Sequence, residues 1–237
     1  MRAILMAGGL GSRLAPLTTV LPKPLMPLCD RPIIDVVLRQ LAAADVERIT
    51  ISVGHLGGLI EAWVSHDADY SVPVDFVYEE SPLGTAGALK NIDSPTGTFL
   101  AMNGDILTTL SFAELAAAHE RSGAIATVAV KEREVRVEYG VVHTDDIGNV
   151  ERLEEKPVLT YTVSMGIYAF DPRIIDLIGP GERIDFPDLL LRALAAGETI
   201  GTYHFDGYWR DIGNRDDYEE AIADFGGDPF RFLPAAG

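Results

Sequence analysis

Two cations near the start of the chain stand where packing alone gives no reason for a charge. Arg13 closes the run Ala7-Gly8-Gly9-Leu10-Gly11-Ser12-Arg13-Leu14, and Lys23 sits between Pro22 and Pro24. Glycines let backbone N–H groups come close to a phosphate chain and curl into an anion nest. Arg13 adds a planar fork of donors matched to phosphate oxygens. Lys23 is the only charged residue between Leu14 and Cys29, and the flanking prolines stiffen its backbone. A lone ammonium in a stiff apolar loop calls for an anion. The run is not the dinucleotide fingerprint, because Leu14 stands where the third glycine belongs, and no Gly-Lys-Ser/Thr of a Walker loop is present. A structural glycine turn would explain the glycines but neither cation.

Residues like these need a scaffold, and the apolar pattern supplies one. Strand-like runs are predicted at Ala3 to Met6, Arg48 to Val53, Val74 to Tyr78, Thr98 to Met102 and Ala124 to Val130. Helical spacing falls between them, at Ile33 to Ala44, Leu56 to Ser65, Ala86 to Lys90 and Phe112 to Arg121. This alternation predicts an α/β, Rossmann-like fold: a mostly parallel mixed sheet with helices on both faces. Ligands then bind beyond the carboxyl ends of the strands, so the loops after Met6, Tyr78 and Met102 are the places to look. From Tyr139 the pattern changes to short strands at Gly140 to Thr144, Val150 to Leu153 and Thr162 to Phe170. Helices are predicted at Pro172 to Ile178, Phe186 to Ala196 and Arg215 to Asp224, with a strand at Thr199 to Phe205. One unit is expected, its second half forming a small substrate lobe on the first.

Composition narrows the partners. Apolar residues make up 47% and charged residues 23% of 237 residues, ordinary values for a globular chain with a sizeable core. A net charge of −17 argues against nucleic acid, whose phosphate backbone most of the surface would repel. Small phosphorylated substrates remain compatible if they meet a local cation cluster or a metal. The single cysteine, Cys29, rules out an internal disulfide and suits a reducing compartment. No apolar run approaches the roughly 20 residues that cross a bilayer, and the apolar stretch at the N-terminus is too short for a signal peptide. The expected location is cytoplasmic, with no membrane partner. The last dozen residues read as a tail.

The stretch from Met6 to Ile33, with its glycines, Arg13, Pro16-Leu17-Thr18, Pro22-Lys23-Pro24 and Pro32-Ile33, closely resembles the signature of the sugar-1-phosphate nucleotidyltransferases. The likeness is greatest to the mannose- and heptose-1-phosphate guanylyltransferases. It runs from Arg2 to about Ala223 and implies one nucleotidyltransferase domain over residues 1–225. A nucleotide-binding half would span 1–130, a sugar-phosphate half 131–225, and a tail 226–237. By that resemblance Ala7, Gly8, Gly9, Gly11, Ser12 and Arg13 hold the nucleotide, and Arg13, Lys23 and Asp105 are catalytic. Lys23 would stabilise charge on the transferring phosphoryl group.

Later segments carry the likeness further. Glu79 and Pro82-Leu83-Gly84-Thr85-Ala86-Gly87 resemble the family's base-recognition loop, which makes Glu79, Gly84 and Thr85 nucleotide contacts. Taken alone, the same residues read equally as a strand-to-helix turn capped by Thr85. Asn103-Gly104-Asp105 lies at a strand end, and the resemblance gives Asn103 and Gly104 to the nucleotide. Asp105 and Asp211 (the latter in Trp209-Arg210-Asp211-Ile212-Gly213) become ligands of Mg²⁺, which favours carboxylate and phosphate oxygens. An isolated Asn-Gly-Asp is also an ordinary turn. Glu155-Lys156-Pro157 resembles the sugar-phosphate site and by itself reads as a solvated turn. With Gly140 and Gly166 it would complete the sugar pocket.

Only Val158 to Met165 separate the Lys-Pro element from the Gly-Ile-Tyr strand, fewer residues than many relatives carry, which predicts a tighter pocket. The sequence given carries no C-terminal β-helix of the acetyltransferase-fused relatives, so a single activity is expected.

The expected reaction joins a nucleoside triphosphate, GTP favoured, to a sugar 1-phosphate by in-line attack on the α-phosphorus. Thymidylyl, uridylyl, cytidylyl and adenylyl transfer stay open as alternatives, as do a non-sugar alcohol phosphate acceptor and a non-catalytic regulatory subunit. The acceptor is expected to be of mannose, heptose or sugar-like cyclitol type. The five histidines, His55, His66, His119, His143 and His204, show no metal-ligand spacing and are expected to be structural or exposed. A homodimer is the default assembly.

Overall fold

The computed structural model describes residues 1–67 and 70–233. In chain order the elements are β1 (Arg2–Ala7), β2 (Pro27–Leu28), β3 (Arg31–Pro32), α1 (Ile33–Ala42), β4 (Arg48–Val53), α2 (Gly57–Asp67), β5 (Val74–Tyr78), α3 (Gly84–Gly87), β6 (Phe99–Asn103), β7 (Ile106–Thr108) and α4 (Phe112–Ser122). There follow β8 (Ala126–Arg136), β9 (Val141–Thr144), β10 (Val150–Glu154), β11 (Val158–Phe170), α5 (Phe186–Ala195), β12 (Ile200–His204), β13 (Trp209–Asp211) and α6 (Arg215–Gly227). Segment 172–177, expected as a helix, is a 3₁₀ turn.

Seven strands form one sheet in the order β12-β8-β11-β6-β1-β4-β5. β1 lies parallel to both β4 and β6, and β4 is parallel to β5. β11 runs antiparallel to its neighbours β6 and β8, which makes the sheet mixed. The α/β expectation therefore holds.

The two faces are packed separately, as alternation along β1 requires. Ala3, Leu5 and Ala7 join the cluster built on α1, α2 and α4, while Ile4 joins Phe99, Phe170, Phe186 and Leu189 on the other side. α1 starts on Pro32, whose extended backbone (ψ 158°) and missing N–H suit a helix entry. Asp35 in its first turn is buried, and its charge is met by Arg31 and Arg39 and by the Tyr70 hydroxyl.

A third cluster joins Leu14, Met26, Ile33 and Val36 to Ile212, Tyr218, Phe225 and Phe232. The region read as a tail is therefore partly core: α6 continues to Gly227, Phe232 is 2% exposed, and its ring stacks on Phe225.

Two strands run beyond the sheet. Lys131–Arg136 of β8 pairs with Val158–Val163 of β11, whereas β12 leaves β8 at Val130. The result is a two-stranded ribbon. The β9–β10 hairpin lies in the chain between its two strands.

Candidate functional site

β1 ends at Ala7 and delivers the glycine loop to the carboxyl edge of the sheet, beside the ends of β4 and β6. Gly8 lies so close to Glu79 that a Cβ there would stand 2.6 Å from Glu79 Oε1. Gly11 has φ +61°, the left-handed region, and its carbonyl accepts from Thr18 Oγ1 at 2.7 Å. Ser12–Leu14 then makes a 3₁₀ turn that carries Arg13. A Cβ on Gly213 would come within 3.2 Å of the Arg13 guanidinium, so the loop after β13 makes room for it.

Lys23 lies in the 3₁₀ turn Lys23–Leu25 and is 8% exposed, an unusual degree of burial for a lysine. Its Nζ is ion-paired with Asp105 Oδ2. The other Asp105 oxygen, Oδ1, is buried without a hydrogen-bond partner, and so is Asn103 Oδ1. β13 brings Asp211 alongside: Asp211 is the register partner of Ile106, and Ile212 N donates to Asp105 O at 3.0 Å. Burial first, and the Asp105 charge second, push the Asp211 carboxyl above the usual carboxylate range; Lys23 and Arg13 pull the other way.

The opposite end of the site is built around Glu79. Ser52 Oγ donates to its Oε1 at 2.9 Å, and Leu83 N donates to its Oε2 at 3.0 Å. Thr85 does not cap α3. Its N–H and hydroxyl both donate to Asp185 Oδ1, at 2.8 and 3.1 Å, and its Oγ1 accepts from Phe186 N at 3.0 Å.

Most of these groups line one cleft of about 410 Å³, spacious enough for a small molecule, whereas Asp211 stands behind its wall, next to the lining residues Asp105 and Gly213. Its wall includes Ala7, Gly8, Gly9, Gly11, Ser12, Arg13, Lys23, Glu79, Gly84, Thr85, Asn103, Gly104 and Asp105. Backbone amides, the cations Arg13, Lys23 and Arg183 and the carboxylates Glu79, Asp105 and Asp185 facing one cavity make an arrangement that can receive a phosphate chain and a planar polar group.

The model of the nucleotidyl transferase family matches residues 2–226, nearly the whole chain. The chain belongs to that family.

Among its relatives, a mannose-1-phosphate guanyltransferase of Yarrowia lipolytica is 35% identical over 92% of this chain, and a UTP–glucose-1-phosphate uridylyltransferase of Synechocystis is 32% identical over 94%. Each alignment covers 62% of the relative, so the chain spans somewhat less than two thirds of those proteins. HddC from Yersinia pseudotuberculosis, solved in complex with GMP-PN, superimposes with a TM-score of 0.74 at 25% identity, covering 94% of this chain and 99% of that one. A Bacillus anthracis structure containing sucrose shares the fold, with a TM-score of 0.76 at 22% identity over 98% of both chains.

The residues expected on the sugar side fall elsewhere. Glu155 and Lys156 are exposed at the turn between β10 and β11, and neither lines the cleft. Gly140 adjoins Glu155: a Cβ on it would sit 3.2 Å from Glu155 Oε2. Gly166 instead abuts Asn103, 2.8 Å from the amide nitrogen by the same measure. The four residues thus form two groups, one on the ribbon side and one at the cleft wall.

Two cleft residues, Arg183 and Asp185, were not foreseen. The only local signal is an Asp immediately before the helical run beginning Phe186-Pro187, which reads as a cap. Its actual partner is 100 residues earlier in the chain.

Among the described residues no group of three or more His, Cys, Asp or Glu is placed to hold a metal. No helix among them is long and apolar enough to cross a membrane.

Proposed function

We propose that the chain transfers a nucleotidyl group from a nucleoside triphosphate, GTP favoured, to a sugar 1-phosphate with release of pyrophosphate. The observation that carries the reading is the union, in one cleft of a nucleotidyl transferase, of the glycine loop, Arg13 and the Lys23–Asp105 pair, with Asp211 beside it. Guanine is favoured because several relatives are guanyltransferases and HddC takes GMP-PN, while the Synechocystis relative keeps uracil in contention.

In this reading the loop amides and Arg13 hold the β- and γ-phosphates and steady the leaving pyrophosphate. Lys23 faces the α-phosphorus and neutralises the charge that builds there. Most of the rate comes from orientation and charge neutralisation, because no covalent intermediate is needed. Lys156 and Glu155 receive the sugar phosphate from the ribbon side, where Gly140 lets Glu155 pack close, while Gly166 does the same for Asn103.

A divalent cation fits the carboxylates. Asp105 Oδ1 is buried and unpartnered, and Asp211 suffers from the neighbouring negative charge. Two carboxylates are too few for a closed cage, which suits Mg²⁺ completing its shell with phosphate oxygens and water. When bound, the metal would supply charge neutralisation at the phosphates. We further assign the protein to the cytoplasm and propose a homodimer, with no nucleic-acid or membrane partner.

The test is pyrophosphate release from each of five nucleoside triphosphates, crossed with a panel of sugar 1-phosphates, with Mg²⁺ and with chelator. One productive pair, strongest with GTP and silent under chelation, is expected. Nucleotide binding with no release across the panel would favour a non-catalytic binding subunit.

A further inference from the structure

Among the described residues, Arg183 is the one cation of the cleft wall outside the glycine loop and the Lys23 turn. Its neighbours on both sides are pinned. Before it, Glu182 Oε2 accepts from Gly179 N at 2.8 Å and from Arg192 Nη1 at 2.9 Å, contacts that hold the Glu182 carboxyl down to about 2. After it, Ile184 N donates to Leu83 O at 2.9 Å, and Ile184 O accepts from Ala86 N and Gly87 N at 3.0 and 3.1 Å. Asp185 then takes both donors of Thr85.

The segment is thus stapled to the loop that follows Glu79, and Arg183 is carried on a fixed backbone. Its own guanidinium has no hydrogen bond or ion pair to any described residue, although it lines the cleft beside Thr85 and Asp185. An arginine spared from every structural contact, on a braced backbone, is poised for a ligand.

The contacts divide the residues around it into two groups. Arg13, Lys23 and Asp105 gather at one end of the cleft with Gly213, and Glu79, Thr85 and Asp185 at the other, so a phosphate chain at the first end places the base at the second. We infer that Arg183 selects the nucleotide by donating a forked pair of hydrogen bonds to O6 and N7 of guanine, an inference that rests on the proposed nucleotidyl transfer.

The chemistry is selective. Guanine presents two adjacent acceptors on that edge, which matches the guanidinium fork. Adenine presents an acceptor beside an amino donor that opposes the fork, and cytosine, uracil and thymine lack N7 altogether. Arg183 therefore acts in specificity and is not asked to touch the reacting phosphorus.

Equilibrium binding of GTP and of 7-deaza-GTP, without sugar phosphate, tests this in the wild type and in Arg183→Met, with ATP and UTP as controls. Because Arg183 is exposed and unpaired, the variant is expected to fold, and its melting curve checks that. One forked base contact is worth roughly 5- to 150-fold in discrimination. The wild type should prefer GTP over 7-deaza-GTP by at least about fivefold, and the variant should lose that preference together with most of its advantage over UTP. Equal binding of GTP and 7-deaza-GTP by the wild type would overturn the inference while leaving nucleotidyl transfer standing. A loss in the variant that is the same for every triphosphate would also overturn it, placing Arg183 on a phosphate. No binding of any triphosphate by the wild type would remove both readings together.

Discussion

Lys23 and Asp105 meet across 82 residues of sequence and form an ion pair at the cleft wall. The pair holds the buried Lys23 side chain at the cavity wall, the position that the proposed transfer at phosphorus requires of a cation. Lys23→Ala should lower kcat by about 10²- to 10³-fold, the usual loss when one positioned donor to transition-state charge is removed. Circular dichroism should show the fold retained, and turnover near the wild-type value would overturn the role. Asp211 makes the complementary case. Its charge is buried beside Asp105 and costs stability in the absence of a cation. Asp211→Asn should therefore raise the melting temperature in chelator by a few degrees, since about 1 kcal/mol moves a chain of this size by roughly 2–4 °C. Added Mg²⁺ with nucleotide should stabilise the wild type more than the variant. A variant that melts below the wild type in chelator would refute the idea that the two carboxylates repel each other.

At the scale of elements, α4 offers a separate test through His119. The helix is capped at both ends, by Ser111 Oγ accepting from Glu114 N and by Gly123 at φ +65°, and it buries His119 against β8. His119 Nδ1 lies 2.9 Å from Thr127 Oγ1, and burial pushes the imidazole below its ordinary 6.5 despite the opposing pull of Asp171 and Glu120. The folded state thus binds this proton less readily than the unfolded chain. Its stabilising contribution is complete above about pH 6.5 and is lost as pH falls from there toward the folded-state value. Urea titrations at pH 7.5, 6.5 and 5.5 should show a steeper loss of stability for the wild type than for His119→Gln; parallel losses would exclude His119 as the cause. The same scale shows which elements could be read in advance. β4 and β5 fall where the β-branched apolar runs lie between turn residues, Arg48–Val53 and Val74–Tyr78. β8 was foreseen only to Val130 and β11 only from Thr162, yet they run to Arg136 and back to Val158. Lys131-Glu132-Arg133-Glu134 carries no apolar alternation, and what makes it a strand is pairing with a partner more than twenty residues away.

For the whole molecule, the cleft is legible in the sequence where chemistry is concentrated in a few neighbouring residues. The glycine loop, Lys23, Glu79, Thr85 and Asn103-Gly104-Asp105 all follow strand ends, and the sheet topology brings them together. Arg183 and Asp185 escape notice because their place depends on hydrogen bonds to residues 83–87, which no local pattern encodes. The C-terminal region escaped for a related reason. Residues 226–237 look like a tail by composition, but Phe232 docks into the cluster that also holds Leu14 and Ile212, one from the glycine loop and one from the strand end after Asp211. Gln40 of α1 reinforces the dock by donating to Phe232 O at 2.7 Å and to Thr108 O at 2.8 Å. The end of the described chain therefore braces both flanks of the end of the cleft that holds Arg13 and Lys23. Phe232→Ala should destabilise the protein by about 3–5 kcal/mol, as for other buried phenylalanines, with a lower urea midpoint and an unchanged m-value. A loosely attached tail would instead show a change within about 0.5 kcal/mol. Because Phe232 itself does not line the cleft, which its cluster meets only at Leu14, the variant should keep its kcat at low temperature and lose activity only as it unfolds, a separation that an activity–temperature profile beside the melting curve would establish.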